Sequence, residues 1–156
     1  MSYENTTVPV ARSQQMLREL LLRHEGGSVA FVSDPPKEGF HALVPIDGKT
    51  YNIRVMAVMK KIEARHIKGR YYRGRWIPPR TDREAQEREV QRIWRVLFYH
   101  MKGIFEAADS GVMEFREMML PYIVTKDGST VGEHILPKLD QALAGRPDRL
   151  LPQTAS

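Results

Sequence analysis

Residues 65–80 read RHIKGRYYRGRWIPPR, with six arginine or lysine residues, three large aromatics (Tyr71, Tyr72, Trp76), two glycines and no acid. Binding a nucleic acid without reading its sequence requires cations spaced to meet phosphates and flat side chains on which bases stack. Lys68, Arg70, Arg73 and Arg75, interleaved with Tyr71, Tyr72 and Trp76, offer both. The same residues suit two other roles: insertion into an acidic protein partner, or a solvated loop whose aromatics pack back on the body of the domain. Lys60 and Lys61 precede this stretch, Arg65 opens it and Arg80 closes it, so all eleven side chains are candidates for contact with a polyanion.

The charge is concentrated there. From Lys60 to Arg80 eight bases stand against one acid, Glu63, a local charge of +7. The remaining 135 residues hold 16 bases and 18 acids, so the whole net charge of +5 resides in one segment.

Catalytic constellations are sparse. The five histidines (His24, His41, His66, His100, His134) show no i, i+4 pair and no H-E-x-x-H. A metal-dependent nuclease needs converging carboxylates near a lysine, and the nearest linear candidates are Asp47 and Glu63. Asp47 is better explained as the first residue of an Asp-Gly turn. No phosphate-binding glycine loop, nucleophile elbow or cysteine nucleophile is present. The expectation is a non-enzymatic protein with no cofactor and no metal.

The elements that would position the basic segment follow from periodicity. Val8-Pro9-Val10 reads as a short extended stretch, and Ser13 is placed to cap a helix carrying Met16, Leu17, Leu20 and Leu21, which Gly26-Gly27 ends. Ser28–Ser33 reads as a strand. Phe40, Ala42, Val44 and Ile46 alternate up to Asp47-Gly48, and Tyr51, Ile53 and Val55 alternate away, which predicts a hairpin with a type I′ turn. Pro45 cannot donate to a ladder and places its strand at an edge or makes it end early. Residues 57–80 have no sustained period and read as a long loop or partly extended arm.

Thr81-Asp82-Arg83-Glu84 has the form of a capping box. After it Val90, Ile93, Trp94, Leu97, Met101, Ile104, Phe105 and Ala108 follow a helical stripe, predicting a helix of about 26 residues. Phe98 and Tyr99 lie off that stripe and widen its apolar girth, which suits central burial or a homodimer interface along the long helix. A short helix with Val112, Phe115, Met118 and Met119 follows, then an extended excursion at Tyr122-Ile123-Val124. A second capping box, Thr130 to Glu133, opens a last helix bearing Ile135, Leu136, Leu139 and Leu143.

The predicted fold is a single α+β domain over residues 1–156: an N-terminal helix, a three-stranded antiparallel meander, the basic arm, then a long helix and two shorter ones on the sheet. The cysteine-free chain excludes a disulfide scaffold and fits a reducing cytoplasm. With no apolar run of membrane length and no signal-like start, the expectation is a protein without a membrane partner.

Much of the chain outside the arm resembles a family of small uncharacterised bacteriophage and prophage proteins. The resemblance rests on Trp94-Arg95-x-Leu97, Met101-Lys102-Gly103, Glu106, Gly111, Phe115, Met119-Leu120, Ile123-Val124, Asp127-Gly128, Thr130-Val131-Gly132 and Pro137. Upstream, Val8-Pro9-Val10, Ser13, Glu19-Leu20-Leu21, Arg23 and Gly26 resemble the family's V-P-x-x-x-S and L-L-x-R-Y-G-A pattern. Gly103-Ile104-Phe105 stands where the family has A-K-L, and Met118-Met119 near its E-F, so acids typical of the family are missing. The resemblance implies a phage or prophage origin and life in the cytoplasm of a bacterial host, and it carries no catalytic residues. Two roles fit phage products of this size: accessory binding of single- or double-stranded nucleic acid in DNA recombination or replication, and engagement of an acidic host enzyme or defence protein.

Overall fold

The computed structural model describes residues 8–59, 69–78 and 82–144. Helix α1 (Val10–Arg23) begins one turn earlier than the Ser13 cap predicts. Pro9 occupies the N-cap with φ −59° and ψ 146°, and its carbonyl accepts from the N–H groups of Arg12 and Ser13. The proline's fixed φ already suits entry into a helix, so the cap falls there. Ser13 is buried on the face that carries Leu17, Leu20 and Leu21. At the other end the Gly26 N–H closes on the Leu21 carbonyl at 2.8 Å, and Glu25, not a glycine, takes the left-handed position with φ 62°.

Strands β1 (Gly27–Asp34), β2 (Lys37–Ile46) and β3 (Lys49–Val58) form an antiparallel meander in that order. Asp47 and Gly48 link β2 to β3 with φ of 50° and 81°, the twin positive angles of a type I′ turn. β2 is the central strand, not an edge. Its pairing with β1 ends at Gly27↔Leu43, two residues before Pro45, so the proline sits in the central strand where one neighbour has already stopped.

Alternation sorts the two faces of the sheet. Phe40, Ala42, Val44, Ile46, Ile53 and Val55 point inward and are buried, while Lys37, His41, Leu43, Arg54, Met56 and Val58 occupy the alternate positions. Gly39 also takes an outward position, opposite Met56. A Cβ on Gly39 would run into the Val55 carbonyl oxygen and the Met56 sulfur, and the backbone atom cannot swing aside. Gly39→Ala is therefore expected to lower stability by about 1–3 kcal/mol, read as a lower urea midpoint at unchanged slope.

Helix α2 (Asp82–Asp109) covers the inward face together with α1. Its 28 residues extend roughly 42 Å. The Thr81 cap lies outside the described residues; Asp82 and Glu84 stand in the first turn, where the helix dipole favours negative charge. Ile93, Trp94, Leu97, Phe98, Met101, Ile104 and Phe105 are buried against Leu17, Leu21, Phe40 and Ile53 in one core. Phe98 thus belongs inside. Val96 is the one exposed large hydrophobic of α2, so the described part of this helix keeps no broad apolar strip for a second copy.

Two carboxylates are buried among the described residues: Glu89, paired with Arg92 on α2, and Glu38, the deeper of the two. Glu38 is 1% exposed and accepts hydrogen bonds from the Trp94 indole N–H at 3.0 Å and the Ser33 hydroxyl at 2.7 Å. Both carboxylate oxygens are thereby partnered, the condition for tolerating such a group in an apolar surround.

Beyond α2, helix α3 (Phe115–Met119) and a 3₁₀ turn (Leu120–Tyr122) return the chain to the free edge of β3. Ile123 bridges Ile53, and the Val124 N–H donates to the Asn52 carbonyl at 2.8 Å. Helix α4 (Val131–Leu143) opens with the predicted capping box: the Glu133 N–H donates to Thr130 Oγ1, and the Thr130 N–H to Glu133 Oε2. Arg54 clamps this start to the sheet through Glu133 at 2.9 Å and the Gly128 carbonyl at 2.9 Å. The rest of α4 buries nothing: Ile135, Leu136, Leu139 and Leu143 are exposed.

Candidate nucleic-acid interface

The described part of the basic segment, residues 69–78, is a β-hairpin, an extended form, where the sequence left a long loop or a partly extended arm open. Strands β4 (Arg70–Tyr72) and β5 (Arg75–Ile77) pair Arg70↔Ile77, Tyr71↔Trp76 and Tyr72↔Arg75. Arg73 and Gly74 form the two-residue link with φ of 49° and 75°, again the positive pair that a right-twisted ribbon requires. Glycine reaches that angle without strain; Arg73 is held there by its place in the turn.

The pairing separates the side chains. Tyr71 and Trp76 share one face, their ring centroids 5.0 Å apart and their planes inclined by 57°. Arg70, Tyr72, Arg75 and Ile77 share the other, and the Arg73 guanidinium lies 5.4 Å from the Tyr72 ring. Gly69 lies beneath the indole, and a Cβ there would collide with the six-membered ring of Trp76. None of these side chains fastens the hairpin to the core: Tyr71 is 76% exposed and Trp76 54%. Among the described residues Arg70, Arg73 and Arg75 have no carboxylate partner. Three uncompensated guanidinium groups are thus carried on ten residues that contain no acid. Lys60, Lys61, Arg65, Lys68 and Arg80 lie outside the described residues.

Because the hairpin contributes nothing to the core, replacing residues 69–78 with a Gly-Ser linker is expected to leave the thermal midpoint within about 2 °C of the unmodified chain in a melt followed by circular dichroism.

A polar groove on the sheet escaped the sequence reading, its Arg54 guanidinium paired with Glu133. Lys37, His41 and Arg54, with Met56, Val58 and Glu133, line an open groove of about 530 Å³ on the outward face of the sheet. His41 stands opposite Arg54 in register. Their positions alternate with core residues along two strands, so no linear cluster announces them. The groove reaches the Lys37↔Val58 end of the sheet, where β3 ends and the chain enters the basic segment.

Three further histidines, His24, His100 and His134, join structural contacts, and His66 lies outside the described residues. His24 bridges the ends of two helices, Nδ1 lying 2.9 Å from the Leu20 carbonyl and Nε2 3.0 Å from Asp109, with its ring stacked on Phe105. His100 meets the Tyr122 hydroxyl at 2.8 Å, and burial pushes that phenol's pKa up. Thr125, Asp127 and His134 come together in the turn before α4, but the Thr125 hydroxyl and the Asp127 carboxylate both approach the same ring nitrogen, Nε2, at 3.1 and 2.9 Å. A relay through the imidazole needs its two nitrogens on different partners, so this cluster is a turn staple and not a triad. Hydrogen bonds from the Thr125 hydroxyl and the Ser129 N–H, then His134, hold the exposed Asp127 carboxyl well below the usual carboxylate range. Asp47 sits in its turn as expected, and Glu63 lies outside the described residues. Among the described residues no group of three or more histidines and carboxylates could hold a metal ion, and no helix is long and apolar enough to cross a membrane.

Fold and site together define an α+β domain that carries an exposed basic and aromatic hairpin between its sheet and its long helix. No protein-family model, no curated protein and no solved structure matches the chain.

Proposed function

We propose that the protein is a non-enzymatic nucleic-acid-binding accessory factor of phage origin, working in the cytoplasm of a bacterial host in support of DNA recombination or replication. It binds largely without sequence specificity through the arm. The observation that carries this reading is the hairpin: three arginines without acid partners among the described residues, interleaved with aromatic rings left open to solvent. Guanidinium groups replace condensed counterions along a phosphate backbone, and rings with free faces accept bases. With Lys60, Lys61, Arg65, Lys68 and Arg80 in the same stretch, about 4–6 phosphate contacts are within its means, which sets a slope of about −3 to −5 for log affinity against log salt. A fluorescence titration with labelled DNA and RNA at low salt tests it. Retention with that slope supports the proposal, and no retention of either polymer defeats it.

A second reading draws on a different surface. The stripe of Ile135, Leu136, Leu139 and Leu143 on α4 is exposed, and an apolar helix face of this kind suits a protein groove. A phage effector that engages a host enzyme or defence protein would use it. Capture of one defined host protein that survives nuclease treatment, and is lost in Leu136→Asp/Leu139→Asp, would favour that role over nucleic-acid binding.

A further inference from the structure

The two faces of the hairpin differ enough to name the polymer, and this step rests on the nucleic-acid reading above. We infer that the arm binds single-stranded nucleic acid, with Tyr71 and Trp76 as a stacking platform for unpaired bases and Arg70, Arg73 and Arg75 as its phosphate contacts.

In a duplex the π-faces of the bases are occupied by neighbouring bases, and the outer surface offers phosphates, sugars and base edges. A ribbon entering the major groove of a duplex would read those edges with polar side chains. Here the Tyr71 and Trp76 face is mostly ring surface, with one hydroxyl and one indole N–H at its margin, too few polar groups to match a donor and acceptor pattern across base pairs. A single strand has the opposite character: bases with free faces on one side of the sugar and phosphates on the other. The hairpin mirrors this division, rings on one face and Arg70 and Arg75 on the other, with Arg73 at the tip.

Three details prepare the rings for that role. Their planes are inclined by 57°, so they do not close into a parallel stack that would use up both inner faces. Gly69 lets the indole lie against its own chain, which fixes the ring and turns its other side outward. The more exposed ring, Tyr71, is 76% open to solvent although it stands beside the largest side chain of the hairpin.

The chain itself supplies a reporter. It has two tryptophans, and Trp94 is buried at 1% exposure, so ligand-dependent quenching arises at Trp76. The test is a titration of the full chain with an oligo-dT of 15 nucleotides and with a 30-base-pair duplex, both at low salt, followed by intrinsic emission and by anisotropy of a labelled strand. Expected results are tighter binding of the single strand by about tenfold or more per site, and quenching that accompanies it. Tyr71→Leu/Trp76→Leu should abolish the preference while keeping the salt slope, and Tyr71→Phe/Trp76→Phe should restore most of it because the rings return. Equal affinity for both polymers, with unchanged dependence on the arginines, overturns the single-strand inference and leaves the nucleic-acid reading standing. Binding of neither polymer removes the reading beneath it. An emission shift that follows protein concentration without DNA would assign the ring face to a second copy of the chain and overturn the inference as well.

Discussion

Trp94→Ala is expected to lower the unfolding free energy by about 3–5 kcal/mol, the largest effect of any single substitution in the domain. Trp94 is 1% exposed at the middle of α2, it meets Phe31 edge to face with ring centroids 5.5 Å apart, and its indole N–H donates to Glu38. Truncation would therefore open a large cavity and orphan one oxygen of a buried carboxylate. The two contributions separate in Trp94→Phe, which keeps most of the ring and loses the donor; about 1–3 kcal/mol of destabilisation is expected from that loss. Urea unfolding followed by far-ultraviolet circular dichroism measures both. Trp94→Ala melting with the unmodified chain would mean that the core lies elsewhere.

The same pair shows where sequence reading reaches its end. Trp94 stood on a helical stripe and was legible as core, because a 3.6-residue period leaves little choice of which side faces inward. Its hydrogen-bond partner was not legible. Glu38 sat in a turn-rich run, Asp34 to Gly39, and only the register of β2, which extends back to Lys37, turns that glutamate toward the helix. The meander was readable from alternation and from Asp47-Gly48. The hairpin was not, since three residues per strand are too few to establish alternation and Arg73-Gly74 is a weaker turn signal than Asp-Gly. The Lys37, His41 and Arg54 groove was hidden for a related reason: strand faces gather residues from separate segments, and charge counted along the chain does not see across a sheet. The exposed stripe of α4 shows the reverse failure. Its spacing promised burial, but the chain anchors that helix through Thr130, Glu133 and Arg54, leaving the leucines unused by the fold.

Replacing Arg70, Arg73 and Arg75 together with alanine is expected to weaken nucleic-acid binding by about tenfold or more at low salt and to flatten the salt dependence by about 2 units of slope for a single strand. Both effects come from one cause. Each guanidinium that meets a phosphate releases a counterion, so losing three contacts removes both the attraction and the part of the salt dependence that reports it. Stability should be untouched, because all three side chains lie on the exposed hairpin outside the core, Arg70 and Arg75 on its strands and Arg73 in its turn. A change in net charge alone could mimic a weaker affinity. The control is therefore Arg12→Ala/Arg23→Ala/Arg116→Ala, which lowers the charge by the same three units at exposed helical positions outside the hairpin. If affinity depends on the arm, the control retains most of the binding and the original slope. Equal losses in the two variants would mean that the polymer responds to the protein's overall field, and the hairpin would lose its claim to be the site.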